Sequence, residues 1–366
     1  MSKKDVAINK KTSKSDTDTG ISPKEKEEEW LNEIVSGENK KVKKAIESET
    51  DLSDIPINRV PGIGPALAEK LLNAGYLTLA SIAHASTVEL VERCEIGEHT
   101  AKRLINAARR QVGVTFRTAK TLMEERKKLV KIPVGCKSLD NLLDGGIELR
   151  SLTELSGEFR TGKTQLCFQL CVTTAMDKKY GGLGADVVYI DTEGTFRPER
   201  IIHIANRFGV SSDEILNKIH VGRAYNSDHQ MALVAESPKI LKEKGAKLIV
   251  VDSLTSHFRA EFIGAGSLLE RQQKLNKFLH QLLRIADVYN VAVVATNQVM
   301  TKPDVLYGES IFPIGGNIVA HSCTTRIYLR KAKGEKRIAR VIDSPYIPEI
   351  EAIFAITEKG IVDVEE

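Results

Sequence analysis

The amino-acid sequence predicts an α/β fold, in which a mostly parallel sheet with helices on both faces follows a small all-helical domain. Three observations support this prediction. From about residue 131 to residue 366, short apolar runs alternate with stretches of helical periodicity, as expected for a parallel sheet covered on both faces. Residues Gly157–Thr164 form a glycine-rich turn between a strand and a helix, and a second glycine-rich turn opens a helix at Pro65.

The turn at Gly157–Thr164 matches the phosphate-binding pattern G-x-x-x-x-G-K-[ST]; a chance glycine-rich turn is the less favoured alternative. Apolar Leu152 and Leu155 predict a strand before it, and Gln165–Met176 predicts a helix after it. The glycines let backbone N–H groups point at phosphate oxygens, the lysine faces the β- and γ-phosphates, and the threonine hydroxyl binds Mg²⁺. The predicted nucleotide-binding residues are Gly157, Glu158, Phe159, Arg160, Thr161, Gly162, Lys163, Thr164 and Gln165.

Composition limits the class of protein. The chain has 366 residues, of which 42% are hydrophobic and 28% are charged. No apolar run approaches the ~20 residues of a membrane span, and the N-terminus is polar, so we expect an intracellular protein without a membrane partner. The five cysteines are odd in number and include no C-x-x-C pair, which argues against a disulfide framework or a zinc site. The net charge of +4 permits a nucleic-acid partner without requiring one.

Residues 1–50 contain eleven lysines, eleven acidic residues and a single aromatic residue, Trp30. So little apolar surface cannot offset the entropy of ordering a chain. We therefore expect a disordered charged tail.

Residues 51–112 form the predicted all-helical domain. The run from Val60 to Leu72 resembles a helix-hairpin-helix motif, whose Gly62-Ile63-Gly64 turn would direct backbone N–H groups at a DNA phosphate. A degenerate copy follows 33 residues later, with Glu95 where the first copy has Gly62. Nearby basic residues favour DNA contact over the alternative, a domain used for protein contacts.

Residues 113–130 read as a linker that contains Phe116 and a charged helix, Thr121–Lys128. A lone phenylalanine in a linker either packs on its own domain or anchors into a neighbouring subunit. The pattern by itself favours packing on its own domain.

The region 131–366 reads as the sheet domain. We predict strands at Asp186–Asp191, Lys247–Asp252 and Val291–Gln298, and a helix at Leu268–Tyr289. A β-hairpin, formed by Thr324–Arg330 and Arg337–Asp343, and a strand near Ala352–Ile356 close the chain.

Three polar residues end predicted strands at the edge where an open α/β sheet binds its ligand. Asp252 ends an apolar strand and is the predicted Mg²⁺ ligand together with Thr164. Glu193 follows another strand and is the candidate for orienting or deprotonating water; a surface carboxylate is the alternative. Gln298 is the candidate for binding the γ-phosphate and signalling its presence to the next segment.

Two long segments, Thr255–Ser267 and Met300–Asn317, show neither a strand nor a helix pattern. Such loops are usually functional, and these combine cations, an aromatic ring and glycines. They could follow a single nucleic-acid strand through stacking and phosphate contacts, or they could form a flexible lid over the nucleotide. The candidate DNA-binding residues here are Arg259, Phe262, Lys302, Gly315 and Gly316.

Five longer motifs carry a family resemblance: Gly157–Gln165, Tyr189–Arg200, Asp252–Arg259, Thr296–Val299 and Gly315–Ile318. In this order they closely resemble the archaeal RadA family of homologous-recombination recombinases, and they are similar to the eukaryotic strand-exchange proteins of the same RecA superfamily. The likeness covers roughly residues 55–366. It implies a RecA-like ATPase core that uses ATP and Mg²⁺, preceded by a DNA-binding domain.

The resemblance also assigns roles at subunit contacts. The run Phe116-Arg117-Thr118-Ala119 matches a Phe-x-x-Ala polymerisation motif, in which Phe116 and Ala119 would fill pockets on the next protomer while the linker adds a strand to its sheet. The segment Asp343–Pro348 resembles a cap that a neighbouring subunit places over ATP.

Further roles follow for single residues. Arg259 would be the main phosphate contact of the first DNA-binding loop, Arg200 would lie along the adenine, and His321 would sense nucleotide across the subunit interface. Two departures are evident. Many relatives have a second arginine where this chain has Ala265, and Arg160-Thr161 is closer to the eukaryotic form of the phosphate loop.

The expected function is therefore an ATP-dependent strand-exchange recombinase. It would form helical filaments, with rings as an alternative assembly, and its partners would be single- and double-stranded DNA and recombination mediators. Two rival functions remain. One is a non-catalytic recombination paralogue, and the other is a ring-forming helicase or clock-type ATPase of the same superfamily.

Overall fold

The computed structural model describes Ile57 and residues 63–112, 116–301 and 311–364. The predicted charged tail, Gly62 and Lys302 lie outside the described residues. Within the described parts of the chain, no helix combines the length and apolar character needed to cross a bilayer.

The N-terminal helices are α1 Pro65–Asn73, α2 Leu79–Ala83, α3 Thr87–Cys94 and α4 Glu98–Val112. Pro65 occupies the first position of α1, as predicted. Helix α2 begins with a reciprocal cap, because each of Thr78 and Ser81 accepts a hydrogen bond from the backbone N–H of the other. Leu71 and Leu90 are fully buried between the helices and are part of their common hydrophobic core.

The linker contains helix α5 Ala119–Lys127, which Thr118 caps through a hydrogen bond from the backbone N–H of Thr121. None of the residues of α5 is buried. Phe116, immediately before it, is fully exposed. The prediction that Phe116 packs on its own domain is therefore wrong.

The strands of the remaining chain are β1 Lys131–Ile132, β2 Ile147–Glu148, β3 Leu152–Gly157, β4 Val187–Asp191, β5 Ile219–Arg223, β6 Leu248–Asp252, β7 Ala292–Asn297, β8 Val299–Thr301, β9 Ile311–Pro313, β10 Thr325–Lys331, β11 Lys336–Asp343, β12 Glu351–Thr357 and β13 Gly360–Asp363. Nine of them form one sheet in the order β13-β12-β11-β10-β3-β7-β6-β4-β5. Neighbours from β10 to β5 are parallel, and β10 to β13 are antiparallel. The predicted parallel sheet and closing hairpin are confirmed.

The helices of this region are α6 Lys137–Leu142, α7 Lys163–Ala175, α8 Pro198–Arg207, α9 Ser212–Asn217, α10 Ser227–Glu243, α11 Ser256–Glu261, α12 Leu268–Tyr289 and α13 Gly316–Ser322. Two hydrophobic clusters cover opposite faces of the sheet, because alternate strand residues point to opposite sides. Tyr189 and Val250 belong to one cluster, and Ile190 and Val251 belong to the other. The predicted helix Leu268–Tyr289 has these bounds in the structure.

Several features differ from the sequence prediction. The described residues of Met300–Asn317 include parts of β8, β9 and α13, so this segment is not irregular throughout. Strand β5 was not predicted, because it is an edge strand whose residues are only partly buried after Ile219, so its apolar pattern is weak. The segment Thr255–Ser267 is not irregular throughout. It contains α11 and a short 3₁₀ helix, Ala265–Ser267.

Candidate functional site

The phosphate loop joins the end of β3 to the start of α7. Gly157 and Gly162 have φ values of 155° and 106°. A Cβ at Gly157 would lie 2.4 Å from the carbonyl oxygen of Leu329, and one at Gly162 would lie 2.5 Å from Cδ1 of Ile356. Only glycine fits either position, so the pattern G-x-x-x-x-G follows from close packing as well as from backbone conformation.

Lys163 is the first residue of α7. Its Nζ donates hydrogen bonds to the carbonyl oxygens of Gly157 and Glu158, at 2.7 and 2.8 Å. Burial lowers the pKa of the Lys163 ammonium below its ordinary value, although the nearby Asp252 and Glu193 carboxylates oppose this shift. The arrangement holds a partly desolvated cation over the loop, beside the positive end of the helix dipole.

Asp252 ends β6 and is 4% exposed. The Tyr189 hydroxyl donates to one carboxylate oxygen at 2.7 Å, and the Thr296 hydroxyl donates to the other. Three strands therefore fix the orientation of this carboxylate. Burial, together with the charge of Asp252, raises the pKa of Tyr189, so the phenol stays a hydrogen-bond donor.

These residues fit a bound Mg²⁺. The Oγ of Ser253 is buried, lies in a residue that lines the cleft, and has no hydrogen-bond partner among the described residues. The described residues also contain no group of three or more histidine, cysteine or acidic side chains that could hold a metal. Magnesium usually keeps several waters and takes few protein ligands beside substrate phosphates. Thr164 and Asp252 would supply those ligands, with Ser253 beside them.

Glu193 lies in a turn that is organised by the carboxylate of Asp191. One oxygen of Asp191 accepts hydrogen bonds from the backbone N–H groups of Glu193, Gly194 and Thr195, at 3.1, 2.8 and 3.1 Å. Arg223 on β5 lies 3.3 Å from the same oxygen. The sequence predicted Asp191 as the end of a strand but not as the acceptor that organises this turn. The available signal was an acidic residue shortly before a turn that contains glycine.

Glu193 and Gln298, predicted from separate strands, are in contact in the structure. The side-chain amide of Gln298 donates to a carboxylate oxygen of Glu193 at 3.3 Å. The main chain of Gln298 continues this connection, because its carbonyl oxygen accepts from the N–H of Ile314 at 2.9 Å. Gln298 thus lies between the candidate catalytic carboxylate and the start of α13.

The phosphate loop, Glu193, Asp252 and Gln298 line one cleft with a volume of about 660 Å³. Other residues that line it, which the sequence analysis did not select, are Thr195, Ser253, Thr296, Val299, Arg337 and Ile356. A cleft of this size and polarity suits a nucleotide.

Arg200 does not line this cleft. Its guanidinium donates to the side-chain oxygen of Gln165 and to the carbonyl oxygens of Thr357 and Glu358. Burial lowers the pKa of Arg200 relative to its ordinary value. The residue therefore ties the end of the phosphate loop to the closing strands.

Asp343 lies two strands away from β3, at the level of a residue that precedes the phosphate loop. On β10, Arg326 pairs with Asp343 of β11 on one side and with Glu154 of β3 on the other. Gly157, at the start of the phosphate loop, pairs with Leu329, three residues further along β10. The segment 343–348, which ends at Pro348, does not line the cleft of its own chain.

The two predicted DNA-binding segments both start at this cleft. In the first, Arg259 is exposed on α11, and the ammonium of Lys274 lies 5.3 Å from the ring centroid of Phe262. In the second, Gly315 is the N-cap of α13 and Gly316 is its first residue, with φ values of 96° and 58°. His321 is exposed near the end of α13.

In the helical domain, Gly64 precedes α1 with no side-chain cap, and a Cβ there would meet no atom within 4 Å. No described residue therefore occupies the space beside Gly64 at the N-terminus of α1. In the second copy, Glu95 adopts a left-handed φ of 51°, and its carbonyl oxygen accepts from the Lys70 ammonium at 3.1 Å. This second turn is thus occupied by a contact with α1.

The nine-stranded sheet, the phosphate loop and the Asp252 carboxylate together define a phosphate-loop ATPase with a RecA-like core. A family model described as Rad51 matches residues 125–364, and one described as a SAM-like helix-hairpin-helix tandem matches residues 51–110. Because the first match covers well over half of the chain, the protein belongs to the Rad51 family of RecA-superfamily recombinases. Proteins of this family are DNA-dependent ATPases of recombination and repair that bind DNA and form oligomers.

Proposed function

We propose that this protein is an ATP-dependent DNA strand-exchange recombinase of the archaeal RadA type, which polymerises as a helical filament on single-stranded DNA. One observation carries the proposal. The phosphate loop, Glu193 and Gln298 line one cleft, whereas no residue of the candidate cap, Asp343–Pro348, lines it. We infer that a nucleotide in that cleft would receive this cap from another copy of the chain.

Lys163 and the N-terminus of α7 would hold the phosphates, and Thr164 and Asp252 would hold Mg²⁺. Mg²⁺ supplies positive charge to the transferring phosphate. Glu193 would orient the attacking water and accept its proton, and Gln298 would bind the γ-phosphate. Their mutual contact at 3.3 Å supports a shared task.

Polymerisation would use the exposed Phe116 with Ala119. The edge strand β5 is a suitable acceptor, because no described strand pairs with its outer edge and Val221 is 45% exposed. At the other sheet edge, Asp363 already accepts hydrogen bonds from α6.

DNA would bind at the two segments beside the cleft and at the first hairpin. Arg259 and Lys302 would contact phosphates, Phe262 would stack on a base, and the glycines Gly315 and Gly316 would allow close approach of the backbone. Gly62 and Gly64 would direct backbone N–H groups at duplex phosphates. Arg200, near the closing strands, would lie beside the adenine, and His321 would report nucleotide to the next subunit.

Electron microscopy with ATP and single-stranded DNA, combined with a joint-molecule assay, tests the proposal. The intact protein should form helical filaments and pair the strand with homologous duplex, whereas Lys163→Ala should do neither. Filaments without pairing would favour the non-catalytic paralogue. Closed rings with strand unwinding would favour the ring-forming ATPase.

A further inference from the structure

The side chain of Asn297 uses all its hydrogen-bond donors in contacts with separate parts of the chain. Its oxygen accepts from the Thr255 hydroxyl at 2.9 Å. Its nitrogen donates to a carboxylate oxygen of Glu154 at 2.7 Å and to the carbonyl oxygen of Ile314 at 2.6 Å. Asn297 and Glu154 are fully buried, and Thr255 is 2% exposed. Water therefore does not compete for these bonds, and each one lost would leave a buried polar group unpaired.

Each of these partners lies directly before, or in the strand that leads into, an element with a role in the proposed function. Thr255 immediately precedes α11, which carries Arg259. Ile314 immediately precedes Gly315 and α13, in the second DNA-binding segment. Glu154 lies on β3, which runs directly into the phosphate loop. The side-chain amide of Asn297 thus connects residues of both DNA-binding segments to β3, the strand that leads into the phosphate loop.

Glu154 makes the connection rigid. Its second carboxylate oxygen accepts from Nε of Arg326 at 2.7 Å, and the Glu154 side chain has no solvent exposure. A buried carboxylate is tolerated only when it is paired and hydrogen-bonded, so the position of Asn297 is fixed by a charged group. Arg326 belongs to β10, the neighbour of β3 on the side away from Asn297.

Asn297, the last residue of β7, and Gln298, which follows it, also connect to the candidate catalytic residue Glu193. Ile314 is bound at both polar backbone atoms, by the Asn297 amide and by the Gln298 carbonyl oxygen. Gln298 in turn contacts Glu193. A displacement of either DNA-binding segment would therefore be transmitted to the phosphate-loop strand and to Gln298.

We propose that Asn297 is the positioning residue that couples DNA binding to nucleotide binding in this protein. The inference rests on the proposed function, because it requires that both ligands bind. Coupling of this kind is reciprocal: bound ATP raises the affinity for DNA by the same factor by which DNA raises the affinity for ATP. Asn297 touches neither ligand and acts through the segments that it joins.

The test uses the full 366-residue chain and breaks the link at Thr255, where the change is smallest. Thr255→Val keeps the shape of the side chain but removes the hydroxyl donor. Thr255→Ala also removes the hydroxyl and adds no methyl group in its place. Thr255→Ser keeps the hydroxyl and is the matched control. Thr255 is buried, so none of these changes alters the DNA-facing surface. Fluorescence anisotropy gives the affinity for single-stranded DNA with and without a non-hydrolysable ATP analogue and Mg²⁺.

The ratio of the two DNA affinities should fall by about tenfold in Thr255→Val and Thr255→Ala and stay at the wild-type value in Thr255→Ser. The affinity without nucleotide should stay within about twofold of wild type in all three. A purely structural role would instead lower the melting temperature or the nucleotide-free affinity and leave the ratio unchanged.

Two results would overturn the inference, and they differ in what else they overturn. If the wild-type ratio is large and both hydroxyl-lacking variants retain it, Asn297 does not couple the ligands and the proposed recombinase function stands. If ATP leaves the wild-type affinity for DNA unchanged, both the coupling and the proposed ATP-dependent function fail.

Discussion

The nucleotide cleft and the linker before it differ in how far hydrogen bonds and burial fix their side chains. In the cleft, Asp252 receives hydrogen bonds at both oxygens, and four backbone N–H groups converge on the Asp191 carboxylate. In the linker, α5 buries no residue, and Phe116 is fully exposed. The cleft is preorganised for its ligand, whereas the linker lacks the burial that normally stabilises a short helix. Under the proposed function, its partner surface would come from another chain.

The largest expected effect lies within the cleft. Glu193→Gln should lower kcat for ATP hydrolysis by about 10²- to 10⁴-fold, because the amide cannot accept a proton from water. The affinity for ATP should change little, since Lys163 and the loop backbone remain. Steady-state ATPase assays and nucleotide titration check this, with the exposed Glu199→Gln as a matched control. Equal loss of activity in both variants would contradict the assignment.

The second prediction contrasts two phenylalanines. Phe278 is fully buried between α12 and the sheet, so Phe278→Ala should lower the free energy of unfolding by about 3–5 kcal/mol. Phe116→Ala should change it by less than about 0.5 kcal/mol, because the side chain is fully exposed and is not buried by any described residue. Urea denaturation of the dilute protein measures both. A large destabilisation by Phe116→Ala would show that the linker packs on its own chain after all.

The third prediction concerns assembly. Phe116→Glu should raise the concentration needed for filament formation by about 30-fold or more, as expected for an interface anchor worth about 2 kcal/mol. The control is Val88→Glu, which places the same charge at another exposed apolar residue, 65% accessible, on α3. Light scattering and electron microscopy in the presence of DNA provide the readout. If Phe116→Glu retains DNA-stimulated ATPase activity and filaments, the interface assignment is wrong.

The smallest expected effect is local. Helix α5 is tied to the core by Arg126, which lies 3.1 Å from Glu148 and has its guanidinium carbon 5.5 Å from the ring centroid of Tyr346. Arg126→Ala should accelerate hydrogen exchange of residues 119–127 several-fold while changing global stability by less than about 1 kcal/mol. Lys120→Ala, on the same helix, should leave the exchange rates unchanged. Unaltered exchange in Arg126→Ala would mean that other contacts hold the helix.

Local sequence signals were strong where geometry is set by neighbours along the chain. The phosphate loop could be located from its glycines, because positive φ angles and close packing at Gly157 and Gly162 exclude other residues. Helix α12 was predicted at its observed bounds because its apolar residues recur at helical spacing over six turns or so. Strand β5 was missed because an edge strand is only half buried and lacks that regularity.

The sequence by itself determined the fold class, the nucleotide-binding loop and the set of polar residues that end the strands, because each depends on residue type and short-range spacing. Only the tertiary structure decided which of these residues meet. Strand order decides three features: the contact of Glu193 with Gln298, the hydrogen bonds of Asn297 to three elements, and the separation of Asp343 from its own phosphate loop. Strand order brings together residues far apart in the chain, and the pairing of distant segments leaves no mark in local spacing.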